Sequence, residues 1–355
     1  MKKFLSLFTV LVIALIISAC GNENKNNPKE DELDNITETF DSYTFGTFVV
    51  VNGTIVLADF NAAENAYEYL IDENGKFVKD NGKNIILVQE KDGDIVPLQK
   101  FVTKDSAKEW YGMSQIGKTE WYKQVQAVEK YLLEKQELKL NVTYNQNNEE
   151  VYSIDGVSQA TMSSTNKSLK DIFDKLSTVE PTNNHPYLTN VTPGPKNNSI
   201  NKQDGYYFAA ADTFDGGYRY YTIVKIENGI ITNVVWNGYH IDGGESKCLG
   251  DDKYTCAAKG NYGMAARATK GEWHVQAAAT AKWIVETQNI NPTFNGEKVD
   301  AITSATITVK ELFDLINTAL QGDPVPQGTY TDGFYYIETT KTPKTVEYAR
   351  QLVEE

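Results

Sequence analysis

The same succession of local signals occurs twice along this chain, and a repeat constrains the fold more than any single motif can. Two β-branched hairpins open the copies. "FVVVNGTIVLADF" reverses at Asn52-Gly53 and "YTIVKIENGIITNVVW" at Asn228-Gly229, a dipeptide that selects the type I′ turn. Tyr-Gly-Met follows in each, at Tyr111-Gly112-Met113 and Tyr262-Gly263-Met264. Glu-Trp then opens an apolar-periodic helix, at Glu120-Trp121 and Glu272-Trp273. Each copy ends on an Asp, four residues, Ala-Thr and a second helix, Asp155 to Thr161 and Asp300 to Thr306. A hairpin followed by helices predicts an α+β fold, each copy a twisted, mainly antiparallel sheet with packed helices. Trp121 and Trp273 are expected as core anchors, and Tyr-Gly-Met as a turn whose ring and thioether pack inward. The first copy carries about 25 additional residues between its hairpin and Tyr-Gly-Met.

Composition marks the joints. Lys2 and Lys3 precede an apolar run from Phe4 to Ala19, too short for a comfortable membrane span and shaped like a secretion signal. Ile17-Ser18-Ala19-Cys20 resembles the lipobox of bacterial lipoproteins, which implies lipidation at Cys20; an ordinary small-residue cleavage site is the plainer alternative. Residues 21–35 hold almost nothing apolar and cannot offset the entropy of ordering. Residues 177–203 are rich in Pro, Asn and Thr without periodicity. The expected organisation is a signal peptide at 1–19, a flexible tether at 20–38, a first domain at 39–178, a linker at 179–203, a second domain at 204–322 and an extension at 323–355. Beyond Leu320 the chain turns Pro-rich and then alternates like a strand, which suits either pairing with the second sheet or the start of a truncated third unit.

Loss of residues 1–19 removes two Lys and no acid, taking the net charge from −14 to −16. Nucleic acid is thereby excluded as a partner, since the long-range field is repulsive. Cys248 and Cys256, in "SKCLGDDKYTC", are an even pair at short range, read as a disulfide outside the cytoplasm; a metal site is the rival, with only His240 nearby.

The hydroxyl-rich loops carry the chemistry. In the second copy Val309, Leu312, Phe313 and Ile316 share one helix face, and Thr308 with Glu311 fits a capping box, so the helix is expected to start just after Thr308. In the first copy the stripe Leu169, Ile172, Phe173 and Leu176 begins five residues later, with Ser163 or Ser168 as the cap. A helix N-terminus accepts phosphate readily, small residues such as Ala160 and Ala305 let backbone approach an anion, and Ser158, Gln159, Thr303 and Ser304 are candidate phosphate contacts.

Asp155-Gly156-Val157-Ser158-Gln159-Ala160-Thr161 and Asp300-Ala301-Ile302-Thr303-Ser304-Ala305-Thr306 resemble the Asp-x-x-(Ser/Thr)-Gly-Ala-Thr motif of FMN-binding domains. The resemblance runs from about residue 40 to 322 and implies two tandem domains, each holding FMN by a phosphoester to its last Thr, here Thr161 and Thr306. It implies a Mg-dependent flavin transferase as partner, with FAD as the donor. Asp155 and Asp300 are then either transferase-recognition groups or turn-capping carboxylates. Gln159 and Ser304 stand where the motif has Gly, so the loop must differ if that position needs φ > 0.

With the lipobox, the pattern is similar to pheromone-precursor flavin lipoproteins of Gram-positive extracellular electron transfer. That similarity implies a carrier rather than an enzyme with its own substrate pocket, lipid-anchored on the extracellular face of the cell membrane. It would take electrons from a membrane NADH dehydrogenase or quinone and pass them to ferric iron or soluble flavin. Two rivals stand beside it: a solute-binding lipoprotein of a transporter, with one ligand between two lobes, and a surface lipoprotein whose signal peptide is released as a pheromone.

Overall fold

The computed structural model describes residues 34–197, 200–244 and 247–353. The signal peptide, Cys20 and most of the tether lie outside the described residues. No described helix is long and apolar enough to cross a membrane.

The chain is mixed α+β and divides into two compact units. The smaller gathers residues 34–39, Tyr67–Lys100 and Thr345 onward. Within it Ala349–Leu352 pairs in parallel with Ile85–Val88, around Tyr67, Ile86, Val88 and Tyr348. The additional residues of the first copy are therefore folded, not an open loop.

The larger unit holds both repeats, each in the same order of elements. In the second, strands Gly205–Ala210, Tyr218–Glu227 and Ile230–His240 form an antiparallel sheet, followed by helices Lys253–Ala258, Trp273–Thr287 and Lys310–Ala319. In the first, the hairpin Thr44–Val51 and Thr54–Tyr67 is followed by helices Lys104–Ala107, Trp121–Lys135 and Ser163–Leu176. Both hairpin turns take the left-handed backbone that Asn-Gly tolerates, with φ of 53° and 74° at Asn52 and Gly53, and 55° and 68° at Asn228 and Gly229.

Near-continuous apolar strands arise because both faces of each sheet are covered. Phe48, Val50 and Ile55 face the helices with Trp121, Leu132 and Ile172, while Val49, Val51 and Leu57 face the other way, against Tyr221, Ile223 and Val235 of the second repeat. The second sheet alternates likewise, sending Val224, Ile231 and Trp236 toward Trp273, Ile284 and Phe313. Between the sheets the Tyr239 hydroxyl donates to Asp59 at 2.7 Å, and Arg219 reaches that hydroxyl at 3.3 Å. Burial and the charge of Asp105 push Asp59 up to about 7, and Glu129 is raised with it by burial and by Asp59.

The strand Gly333–Glu338 completes the first sheet and not the second. It pairs antiparallel with Thr44–Val51, Gly333 opposite Val50, as Gly205 lies opposite Ile226. The correspondence extends to side chains. Asp332 accepts from Gly53 N at 2.7 Å and Asp204 from Gly229 N at 2.9 Å, so each closes the neighbouring hairpin turn. The hydroxyls of Tyr335 and Tyr207 each donate to the carbonyl four residues back. "DGFYY" at Asp332–Tyr336 thus occupies the slot that "DGYYF" fills in the second repeat. The described residues of 177–197 and 200–204 carry no helix or strand, yet the segment is pinned: His185 Nε2 meets Val50 O at 2.7 Å, and Asn233 bonds Leu188.

Candidate functional site

Each Glu-Trp pair builds a helix start that organises two neighbouring loops. Glu120 and Glu272 are the cap residues and are buried, and their carboxylates turn back onto the Tyr-Gly-Met segment. Glu120 accepts from Met113 N and Ser114 N at 3.1 and 2.9 Å, and Glu272 from Ala265 N at 2.7 Å. Gly112 and Gly263 have φ of 80° and 75°, which makes Tyr-Gly-Met a turn that needs its glycine. Trp121 and Trp273 follow as buried anchors.

One helical turn on, at Gln124 and Gln276, lies the feature that sequence reasoning missed. Both are fully buried in the first turn of their helices. Gln124 Nε2 donates to Thr119 O at 2.8 Å and Gln276 Nε2 to Gly271 O at 3.0 Å, which fixes the amide so that Oε1 faces the threonine loop. There Gln124 Oε1 accepts from Thr161 N at 2.8 Å and from Thr161 Oγ1 at 3.0 Å. Gln276 Oε1 accepts from Thr306 N at 2.7 Å, Thr306 Oγ1 at 3.2 Å and Ile307 N at 3.3 Å. The recurrent spacing Glu-Trp-x-x-Gln was available in the sequence as the signal.

The loop itself is two consecutive turns in both copies. Val157 N donates to Ile154 O and Ala160 N to Val157 O, matched by Ile302 N to Val299 O and Ala305 N to Ile302 O. Val157 and Ile302 are buried, holding the loop down, whereas Asp155, Ser158, Gln159, Thr161, Asp300, Thr303, Ser304 and Thr306 are exposed. Ala160 is buried and Ala305 half-buried. Asp155 accepts from Asn141 at 3.4 Å and Asp300 from Asn295 at 3.3 Å. Gln159 and Ser304 keep negative φ, so the place where the motif has Gly demands no left-handed backbone here. In the first copy a cleft of about 530 Å³ opens along Tyr152, Asp155, Gly156, Ser158 and Thr161.

The helix starts depart from expectation. No Thr308–Glu311 capping box forms: the helix begins at Lys310, with Val309 as its cap and no side-chain bond. Val309 N and Lys310 N both donate to Glu297 O, at 2.9 and 3.2 Å, so these N–H groups are already satisfied and closed to an anion. In the first copy the helix starts at Ser163, and neither Ser163 nor Ser168 caps it; Met162 stands at the cap, and Ser163 Oγ accepts from Tyr152 N instead. The helix end that serves each threonine is therefore that of the preceding helix, through its glutamine. Cys248 and Cys256 form a disulfide with Cα atoms 5.3 Å apart. No cluster of metal-ligating side chains occurs among the described residues.

Residues 217–321 match the family model of the FMN-binding domain. The second repeat carries an FMN-binding domain. A solution NMR structure of a Clostridium thermocellum protein is 37% identical, over 34% of this chain and 90% of that one, with a TM-score of 0.26. No curated protein matches the chain. An exposed hydroxyl, held in one rotamer by a buried neutral amide and preceded by a small alanine, suits FMN through its phosphate. A neutral acceptor orients the hydroxyl without placing a second negative charge against the phosphate.

Proposed function

We propose that this chain is an electron carrier with two tandem FMN-binding domains, each bearing FMN esterified to a threonine, Thr161 in the first and Thr306 in the second. The observation that carries the reading is the paired grip of Gln124 on Thr161 and of Gln276 on Thr306, each on an exposed loop. It supports a site kept open for a modifying enzyme and rigid enough to orient what is attached. Attachment joins the threonine oxygen to the flavin-side phosphorus of FAD, breaks the phosphoanhydride and releases AMP, while the hydroxyl proton leaves through solvent. When bound, FMN supplies reversible two-electron redox chemistry. Asp155 and Asp300, exposed beside the reacting threonines, suit recognition by a Mg-dependent flavin transferase.

Lipidation at Cys20 would hold the carrier on the extracellular face of the cell membrane, since acyl chains contribute about 0.8 kcal/mol per buried methylene. There it would take electrons from a membrane NADH dehydrogenase or quinone and deliver them to ferric iron or soluble flavin, as in the pheromone-precursor flavin lipoproteins. Covalent attachment suits that location, because a dissociable flavin would be lost by dilution.

Intact-mass measurement after co-expression with the transferase tests the reading. Two FMN increments are expected, one lost in Thr161→Ala, the other in Thr306→Ala, and both in the double variant. Absence of any increment tied to these residues ends the proposal.

A further inference from the structure

Each repeat holds a lysine over aromatic rings at the helix start that serves its threonine, and the two lysines differ in what neutralises them. Lys104 and Lys253 each follow the cap residue of a short helix, Thr103 and Asp252. Lys104 Nζ lies 4.6 Å from the centre of the Tyr111 ring and 5.8 Å from that of Trp121. Lys253 Nζ lies 4.7 and 5.2 Å from Tyr262 and Trp273, the matching Tyr-Gly-Met and Glu-Trp rings. The second cage adds Tyr218 at 4.1 Å and Tyr220 at 4.6 Å, and Lys253 donates to the Tyr220 hydroxyl.

Charge separates them. The Glu64 carboxylate is 3.8 Å from Lys104, and also 3.4 Å from Lys344, whose side chain is half exposed and hence screened. His240 stands where Glu64 does, each three residues beyond the buried asparagine of its strand, Asn237 or Asn61. Among the described residues no carboxylate lies in ion-pair contact with Lys253; Glu311 and Asp215 act on it from farther away. Burial pushes Lys253 down to about 8, and Glu311 is itself raised to about 7 by burial and by Asp215. A cleft of about 450 Å³ opens beside two rings of this second cage, lined by Tyr218, Cys248, Asn261, Tyr262, Met264 and Arg267. Trp273 begins the helical turn that ends at Gln276, so cage and threonine share one turn of helix.

Resting on the attachment reading above, we propose that the cleft over Tyr218 and Tyr262 seats the flavin ring carried by Thr306. Lys253, without a direct ion pair among the described residues, then makes that flavin the more easily reduced of the two. Reduction places negative charge on the ring, and a cation in a poorly solvated site stabilises it more than an ion-paired one does. With FMN on both threonines, Lys253 would make the second site the acceptor and the first the donor, the electrons lost by one being those gained by the other and the protons exchanging through solvent.

Spectroelectrochemical titration of singly loaded proteins decides the matter, Thr161→Ala reporting the second site and Thr306→Ala the first. The second site is expected at the higher potential. Lys253→Met should lower its reduction constant about tenfold, ~30 mV for a two-electron couple, and Lys253→Arg should restore it. Should Lys253→Met fail to fold, the reciprocal exchange carries the test: Glu64→Gln raises the first potential and His240→Glu lowers the second. Flavin fluorescence at the second site should be quenched and recover in Tyr262→Leu. Equal potentials, or no response to either exchange, overturn the proposal while leaving attachment intact. Protein without bound flavin overturns the attachment reading and this proposal together.

Discussion

The two repeats share the side chains that close their hairpin turns, start their Trp helices and hold their threonines, but obtain their opening strand from opposite directions. The second takes Gly205–Ala210 from the chain immediately before its hairpin, a local pairing. The first takes Gly333–Glu338 from the far end of the chain, after the whole second repeat. What the difference teaches is that a sheet slot is defined by register and by the side chains that lock it, not by position along the chain. An Asp that closes the hairpin turn and a Tyr bonded four residues back suffice in both. The cost is a loop closure across the second repeat, which grows only logarithmically with length.

Removing the locking ring is the most forceful way to break that equivalence. Tyr335 and Tyr207 are both fully buried, so each alanine substitution should cost about 3–5 kcal/mol. Tyr335→Ala is expected to strip hydrogen-exchange protection from residues 44–51 and leave 218–240 protected, with Tyr207→Ala doing the reverse. Protection lost locally around residues 333–338 alone would mean that the distant strand is an ornament of the first sheet, not part of it.

The acid pair near the two sheets sharpens the comparison by pH. Asp59 binds its proton more tightly folded than unfolded, so its contribution favours the fold at acid pH and is lost as pH rises from its ordinary value near 3.8 through about 7. Asp59→Asn keeps an acceptor for Tyr239 and removes the charge. It should raise stability by on the order of 1–3 kcal/mol at pH 8 and change little near pH 3, below the ordinary carboxylate value. Thermal unfolding at the two pH values reads this directly; a loss of stability at pH 8 would instead make Asp59 a charged partner of Arg219.

A smaller contrast lies at the far ends of the Trp helices. Gln136 and Gln288 end them in left-handed backbone, and each grips both backbone groups of one strand residue, Ile55 or Ile231. Gln288 is buried and Gln136 is not. Gln288→Ala should therefore cost about 1–3 kcal/mol, because Ile231 is left without partners, and Gln136→Ala less, because water can replace the amide. Denaturant titration of the two variants checks the order.

Local chemistry accounts for much of what could be read in advance. Asn-Gly alone selects turns with positive φ, Glu-Trp with the apolar period marks the helices at Trp121 and Trp273, and the aromatic and thioether of Tyr-Gly-Met do pack toward the cores. The capping box at Thr308 does not form because the helix starts one residue later than its local pattern implies, at Lys310, where the N–H groups of Val309 and Lys310 meet the Glu297 carbonyl of a distant loop. Gln124 and Gln276 went unnoticed because a buried glutamine and a solvent-facing one look alike in sequence; their common spacing from Trp was the signal that could have shown them.

Determined by the sequence itself, then, were the repeat, the hairpins, the helices and the exposed threonine loops, all products of contacts within a few residues. Tertiary structure alone decided which strand fills the first sheet, which segments assemble the smaller unit, and which amide holds each threonine. Those choices depend on complementary surfaces and unsatisfied backbone groups meeting across long stretches of chain, and no local pattern encodes which of several eligible partners will reach them first.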